Sequence, residues 1–82
     1  MFRAKVIVTL KKGVSDPQGQ AVQNALKTMQ FQNIGEVRVG KYIEVLIHET
    51  DEALAKSQVQ SICEKLLVNL IIEQFQFDLA RV

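Results

Sequence analysis

Apolar and polar residues alternate along the first part of the chain. The apolar positions are Phe2, Ala4, Val6, Val8 and Leu10, with mostly charged residues between them. Such alternation is typical of a β-strand with one buried and one solvated face. Ile7 is the exception, since it places an apolar side chain on the otherwise polar side. We therefore predict a first strand whose outer face is partly apolar.

A helix is predicted after a glycine ends this alternation. Ser15 with Gln18 fits a capping box, while Asp16 as N-cap would place Pro17 at the favoured first helical position. An apolar stripe with the spacing of one helix face follows, formed by Val22, Ala25, Leu26 and Met29. The predicted helix ends near Gln30.

Two β-branched runs come next and predict a hairpin. They are Glu36–Val39 and Tyr42–His48, separated by Gly40 and Lys41. Glycine at the first central position suits a two-residue type II′ turn, so the two predicted strands are antiparallel.

The last part of the chain predicts a second helix and a fourth strand. Thr50 is the expected cap, two acids occupy the first turn, and the helix runs to about Val68. Its apolar positions are Ala55, Val59, Ile62, Cys63 and Leu66. Asn69 is expected to end it in a left-handed conformation. The alternating run from Phe75 to Leu79 predicts the fourth strand.

The order βαββαβ is that of the ferredoxin-like split βαβ arrangement. Right-handed crossovers place both helices on one face of a four-stranded antiparallel sheet, so we expect an α+β two-layer sandwich formed by a single domain over residues 1–82. The other sheet face stays bare. Ile7, Tyr42 and Leu46 are expected there, and we predict that copies of the chain associate through this face. The alternative is that these are scattered exposed apolar residues, which are normal on protein surfaces.

Length and composition narrow the class of protein. With 82 residues, the chain is too short for a two-domain enzyme, and 48% hydrophobic with 23% charged residues is the composition of a globular domain. The longest apolar stretch, residues 66–72, is interrupted by Asn69 and is far shorter than a membrane span. The start of the chain does not have the pattern of a secretory signal, so we predict a cytoplasmic protein that does not contact membranes.

Charge is distributed unevenly along the chain. Residues 1–41 carry seven Lys or Arg against two acids, whereas residues 42–82 carry three against seven. This asymmetry is compatible with a polar partner surface, although small solvated domains also show it by chance. The net charge of only +1 does not favour nucleic-acid binding. Tyr42 is also the only aromatic residue on the predicted strand that would have to stack bases.

Few residues of the chain could support catalysis or bind a metal ion or a phosphate group. His48 is the only histidine and lacks a second catalytic residue type near it in sequence, so it is expected at a strand end on the surface. Cys63 is a single cysteine on the inner stripe of the second predicted helix, so it is expected in the core. Residues 11–15 lack the Cys-x-x-Cys of metallochaperones with this fold. The loop 13–19 lacks the Gly-Lys-Ser/Thr of a P-loop. We therefore predict no catalytic, cofactor or metal site, and an accessory subunit is the natural inference.

Three stretches resemble one protein family. Residues 13–22, GVSDPQGQAV, closely resemble the G-V-x-D-P-Q-G-x-A-V signature of the PurS subunit of phosphoribosylformylglycinamidine (FGAM) synthase. Residues 37–44, VRVGKYIE, resemble the family's V-R-x-G-K-x-x-E hairpin, and CEKLLVN with the following Ile72 and Glu73 gives a third match. The chain has Lys12 and Leu70 where the family commonly has prolines, which would stiffen each turn.

The resemblance implies a non-catalytic subunit of a purine-biosynthetic amidotransferase. A separate glutaminase subunit would release ammonia from glutamine. A separate synthetase subunit would use ATP and magnesium to convert formylglycinamide ribonucleotide to its amidine. The resemblance implies that the PurS-like subunit binds no cofactor itself and associates with both enzymes. It also implies a homodimer or homotetramer.

The expected partner contacts are the loop Asp16, Pro17, Gln18, Gly19 and the hairpin Gly40, Lys41, because both are polar, expected to be exposed and part of the matched motifs. The alternative for Asp16, Pro17 and Gly19 is that they serve helix capping and turn geometry alone. The competing function is a stand-alone ligand-sensing domain, similar in topology to amino-acid-binding ACT modules, which pair through sheet edges and bind a small molecule between copies.

Overall fold

Three strands and two helices make up the fold. The computed structural model describes all 82 residues. Its elements are strand β1 (Phe2–Leu10), helix α1 (Pro17–Thr28), strand β2 (Lys41–Ile47), helix α2 (Glu52–Ile62), a π-helical turn (Cys63–Leu67) and strand β3 (Glu73–Arg81). The sheet order is β2-β1-β3, and both pairings are antiparallel. None of the helices has the length and hydropathy needed to cross a membrane.

The core forms where α2 lies over β1. Four of the five inner-facing residues of β1 are buried, namely Phe2, Ala4, Val6 and Val8, and the last one, Leu10, is half-buried. Ala55, Val59 and Cys63 of α2 and its π-helical extension complete the core from the other side. A fully buried valine side chain stabilises a fold by about 1.5–3 kcal/mol, so this contact holds the sheet and α2 together. The alternating pattern of the first strand is thereby confirmed, and so is the helical spacing of α2 as far as Cys63. The prediction is wrong for Leu66, which is 80% exposed, because α2 ends at Ile62 and the wider π-helical turn that follows changes the side-chain spacing.

The caps of α2 differ from those predicted at both ends. Asp51, not Thr50, is the N-cap, since its carboxylate accepts hydrogen bonds from the N–H groups of Ala53 and Leu54 at 2.9 and 3.4 Å. Asn69 is not left-handed, because Gln30 is the only residue other than glycine with a positive φ. Asn69 instead closes a turn: its side-chain oxygen accepts from the Ile71 N–H at 3.2 Å, and its backbone carbonyl accepts from the Glu73 N–H at 2.7 Å.

The expected four-stranded sheet is wrong, because the sheet has three strands. Glu36–Val39 forms no strand, and Gly40 and Lys41 form no hairpin turn, since Lys41 is the first residue of β2. The Val39 N–H, which a neighbouring strand would need, donates to the Asp16 carboxylate at 2.8 Å. A side chain from a distant part of the chain therefore takes the place of a strand.

Helix α1 begins as predicted, with Asp16 as N-cap and Pro17 in the first turn, but it does not lie on the sheet. The chain measures 51 × 27 × 14 Å, and its Cα radius of gyration is 16.4 Å, whereas a compact chain of this length has about 12 Å. A nine-residue strand spans about 30 Å and a twelve-residue helix about 18 Å, so the long axis fits a sheet with α1 beyond its end. We call residues 11–40 the arm, and the sheet with α2 the body.

Candidate partner-binding site

A groove lined by both charged and apolar residues lies where the arm joins the body. It has a volume of about 280 Å³ and is lined by Val8, Leu10, Asp16, Pro17, Gln18, Val39, Gly40, Lys41 and Glu73. Five of the six residues predicted to contact a partner line it, and they come from two segments more than twenty positions apart in sequence. The fold therefore brings the two predicted contact segments into one surface, which we call the junction groove.

Asp16 ties the two segments together. One carboxylate oxygen accepts from the Gly19 N–H at 2.9 Å and caps α1, while the other accepts from the Val39 N–H at 2.8 Å. The residue is buried, being only 7% exposed. The Val39 hydrogen bond, then the Gly19 hydrogen bond and the nearby Arg38 guanidinium hold the pKa of Asp16 below its usual range, against the opposing effect of burial. Asp16 thus holds the start of α1 and Val39 together, and we call this residue the pin. Its carboxylate occupies the N-terminus of α1, where a bound anion would otherwise lie.

Arg38 reinforces this pin from the other side of the arm. Its guanidinium donates to the backbone carbonyls of Leu10 and Lys11 at 3.1 and 3.3 Å, so it fastens the returning chain to the end of β1. The same group forms an ion pair with Glu36 at 3.0 Å and lies 3.8 Å from the Asp16 carboxylate. These contacts fix the direction in which the arm leaves the body.

Lys41 and Glu73 form the floor of the junction groove on the body side. The Lys41 ammonium lies 3.4 Å from one oxygen of Glu73, and the other oxygen accepts from the Asn69 N–H at 2.8 Å. The Asn69 hydrogen bond, followed by the interactions with Lys41, lowers the pKa of Glu73. The Lys41 side chain is 58% exposed, so it remains accessible to an acidic group of a partner.

The two glycines of the predicted contact segments serve close packing. A Cβ at Gly19 would overlap the carbonyl oxygen of Val37, and Gly19 is buried and does not line the groove. A Cβ at Gly40 would lie 2.5 Å from the Val8 carbonyl oxygen. Both positions therefore exclude larger residues, because two segments of the arm approach closely at Gly19 and the arm approaches the body closely at Gly40.

The outer sheet face is bare, as expected, and carries the three residues predicted to mediate self-association. Ile7, Tyr42 and Leu46 are 42%, 57% and 45% exposed. Ile7 and Tyr42 are direct cross-strand neighbours, whereas Leu46 lies opposite Arg3, which pairs with Glu44 at 3.9 Å. The apolar surface on this face is consequently small and interrupted by charge. Association through this face stays a prediction.

The other residues weighed for chemistry lie apart from the groove. His48 is exposed just after β2. Cys63 is fully buried, and burial, followed by the charge of Glu64, raises the pKa of its thiol, so it behaves as a core residue. The structure contains no group of three His, Cys, Asp or Glu side chains placed to hold a metal ion.

Sequence reasoning missed two residues: Glu73, which lines the junction groove, and Arg38, which holds the neighbouring chain in place. Arg38 and Glu73 both fall within the stretches that resemble the PurS family, so the motifs contained the signal. What the sequence does not show is that Arg38 reaches the end of β1 and that Glu73 reaches Lys41.

Fold and groove together define a small α+β chain with a groove between two separate segments, where the arm joins the body. The chain matches the family model described as PurS, phosphoribosylformylglycinamidine (FGAM) synthase, over residues 3–81. It belongs to the PurS family. This assignment takes precedence over the ligand-sensing ACT-like alternative.

Its relatives match along the whole chain. The PurS subunit of FGAM synthase from Bacillus subtilis is 44% identical over 82 residues, covering 100% of this chain and 96% of the relative. The crystal structure of Methanocaldococcus jannaschii PurS, a subunit of formylglycinamide ribonucleotide amidotransferase in the purine biosynthetic pathway, superposes with a TM-score of 0.89. It is 36% identical and covers 100% of this chain and 99% of that one. A chain of the PurLQS structure from Thermotoga maritima gives a TM-score of 0.85 at 25% identity, covering 98% and 99%.

Proposed function

We propose that this chain is the non-catalytic small subunit of FGAM synthase and bridges the glutaminase and synthetase subunits of that complex. Membership of the complex in purine biosynthesis follows from the family and from the relatives named above. The bridging role is supported by the junction groove, where the two segments that resemble family motifs meet in one accessible surface. In this proposal the chain has no active site of its own, and the synthetase subunit uses ATP and magnesium.

The physical contribution of a bridge is proximity. Ammonia released into water becomes protonated and loses its nucleophilicity, whereas ammonia passed directly between two held active sites stays reactive. Holding two reaction partners in a fixed geometry replaces a diffusional step with a local one. The chain therefore acts by fixing the two enzymes relative to each other. A cytoplasmic location stays a prediction that agrees with such a role.

Reconstitution of the reaction tests this proposal. The matching glutaminase and synthetase subunits are assayed for amidine formation with glutamine or with ammonium as nitrogen donor, each with and without this protein. We expect the glutamine-driven reaction to require it and the ammonium-driven reaction to proceed without it. Equal rates with and without the protein in both assays would contradict the bridging role.

A further inference from the structure

The charged residues that line the junction groove differ in how accessible their charge is. Asp16 uses its carboxylate to accept from two backbone N–H groups. Glu73 accepts from the Asn69 N–H and pairs with Lys41. The side chains of Asp16 and Glu73 are only 6% and 15% exposed, whereas that of Lys41 is 58% exposed. The groove therefore presents a positive group to solvent and keeps its negative groups inside.

Two further lysines extend this positive surface along the chain. Lys11 and Lys12 follow Leu10, which lines the groove. Both lysines are exposed, and neither takes part in an ion pair of the chain. The backbone N–H of Lys11 donates to the Ile72 carbonyl at 2.8 Å, so this segment lies directly beside Glu73. Lys11, Lys12 and Lys41 are thus the exposed basic groups where the arm joins the body.

The exposed carboxylate of Glu36 does not offset these lysines. Glu36 lines a neighbouring cavity of about 300 Å³ together with Lys12, but it forms an ion pair with Arg38 at 3.0 Å. Arg38 is held in turn by the backbone carbonyls of Leu10 and Lys11. Glu36 is consequently engaged within the arm, and the exposed lysines attract negative charge from outside the chain.

The inside of the junction groove is apolar. Val8, Leu10 and Val39 line it beside the charged residues, and Leu10 and Val39 are only half-buried. Its volume of about 280 Å³ is just below the roughly 300–1,000 Å³ of pockets that enclose small-molecule ligands. This size suits one side chain of another protein. An apolar side chain in that position would exclude water and strengthen the charge interactions around it.

We propose that the junction groove binds an acidic segment of an enzyme subunit of the complex. Carboxylates of that segment pair with the exposed lysines, and a neighbouring apolar side chain enters the groove between Leu10 and Val39. Opposite charges on two surfaces accelerate their association and orient it. This inference rests on the proposed function, because it specifies the chemistry of the partner that the bridging role requires.

Two glutamine variants of α1 test the charge preference without disturbing the fold. Gln18 and Gln20 are both exposed in the first turn of α1, where a glutamate is favourable to the helix dipole. Being two positions apart, they point to opposite sides of the helix. Gln18 lines the junction groove, whereas Gln20 lines a separate cavity. We expect Gln18→Glu to raise the Kd for the enzyme subunit at least about fivefold and Gln20→Glu to change it less than about twofold.

Biolayer interferometry measures these affinities. The chain is immobilised, and the matching synthetase and glutaminase subunits are supplied singly and mixed, with glutamine, ATP and magnesium present. The series is run at about 0.05 M salt and repeated at about 1 M salt, where the screening length falls to about 3 Å. We expect the wild-type affinity to fall with salt and the difference between Gln18→Glu and Gln20→Glu to disappear.

Reversing the charge of one lysine gives the second test. Lys12→Glu should lower the association rate constant at least about threefold at low salt, as changes to exposed interface charges do. Lys56→Glu makes the same change in net charge at an exposed position on α2 and should behave as wild type. An equal decrease in both variants would overturn the proposal, because it would show that only the net charge of the chain matters.

The outcomes separate this proposal from the bridging role. Equal affinities of Gln18→Glu and Gln20→Glu, or a wild-type affinity that salt leaves unchanged, would overturn the acidic partner segment while the bridging role stands. Failure of the wild-type chain to bind either subunit, singly or mixed, would contradict the bridging role itself and this proposal with it.

Discussion

The arm and the body are held together by different forces. In the body, the inner residues of β1 pack against α2 and lose nearly all contact with water. In the arm, the decisive contacts are made by two charged residues, Asp16 and Arg38, that bond to backbone groups. The body is therefore stabilised by its own apolar burial. Hydrogen bonds fix the direction in which the arm leaves the body, and the apolar stripe of α1 stays largely exposed to solvent.

This difference divides the sequence into residues that stabilise the fold and residues that are available for binding. Two of the three stretches that resemble the family motifs, residues 13–22 and 37–44, lie in the arm or where it joins the body. Buried residues of the body fill the core, whereas residues of the arm hold its direction and, in the proposed function, present surface to the enzyme subunits. Substitutions in the two regions should consequently have effects of different size and kind.

The largest effect is expected from Phe2→Ala in the body. Phe2 is 1% exposed, and Arg81 stacks over its ring at 4.7 Å. Truncating a buried phenylalanine costs about 3–5 kcal/mol, which is comparable with the whole stability of a domain of this size. Urea denaturation followed by circular dichroism should show a chain that is largely unfolded in water at 25 °C, independently of protein concentration.

The matched substitution in the arm is Met29→Ala. Because Met29 is 64% exposed in the single chain, its loss there should change the free energy of unfolding by less than about 0.5 kcal/mol. Urea denaturation followed by circular dichroism should show this small change. A large loss would mean that the arm packs on its own body.

An intermediate effect is expected from Asp16→Asn. The amide keeps one acceptor oxygen but can no longer accept from both the Gly19 and Val39 N–H groups. We expect the thermal midpoint at pH 7 to fall by about 5 °C, the usual consequence of losing a helix cap in a small domain. Hydrogen exchange at the Val39 amide should accelerate as well. Ser15→Ala, which removes the other cap candidate, should leave both quantities unchanged, and an equal loss in Ser15→Ala would contradict the assignment of Asp16 as the pin.

Acid pH should remove the stabilisation that the Asp16 carboxylate provides. The folded-state pKa of Asp16 is lowered, first by the Val39 hydrogen bond, so its stabilisation is fully present above about pH 4 and is lost as the pH falls through the folded-state pKa. The thermal midpoint of the wild-type protein should therefore decrease more between pH 7 and pH 2 than that of Asp16→Asn. Glu73, whose pKa is also lowered, contributes equally to both proteins. Parallel pH profiles would refute the role of the Asp16 carboxylate.

A small effect on stability is also expected from Lys41→Gln. The Lys41 side chain is mostly exposed, and exposed ion pairs contribute about 0–1 kcal/mol. Thermal unfolding should shift by no more than a few degrees, while the junction groove loses its accessible positive charge. A large destabilisation would show that Lys41 is a structural residue and not a contact residue.

Much of the fold could be predicted from local sequence patterns. The alternation around Val6 specifies β1, the spacing around Val59 specifies α2, and Asp16 followed by Pro17 specifies the start of α1. Each signal lies within a few residues of the element that it defines, so no knowledge of distant parts of the chain is needed. The two segments that form the junction groove were predicted from their motifs in the same way.

Long-range contacts account for the parts that could not be predicted. Val37 and Val39 have the β-branched pattern of a strand, but the Val39 N–H is taken by Asp16, 23 positions earlier. The stripe on α1 indicates that the helix packs against an apolar surface without indicating which one. The contact between Lys41 and Glu73 joins residues whose separation in sequence gives no sign of proximity.

If the junction groove binds an enzyme subunit and thereby couples the two reactions, reversing the charge of Lys41 should uncouple them. We would measure glutamine-driven and ammonium-driven amidine formation with Lys41→Glu, and with Lys56→Glu as a control that reverses an exposed lysine on α2. We expect Lys41→Glu to lose at least about tenfold in apparent affinity in the glutamine-driven reaction only, while Lys56→Glu behaves as wild type. Full glutamine-driven activity at wild-type concentrations of a folded Lys41→Glu protein would contradict it.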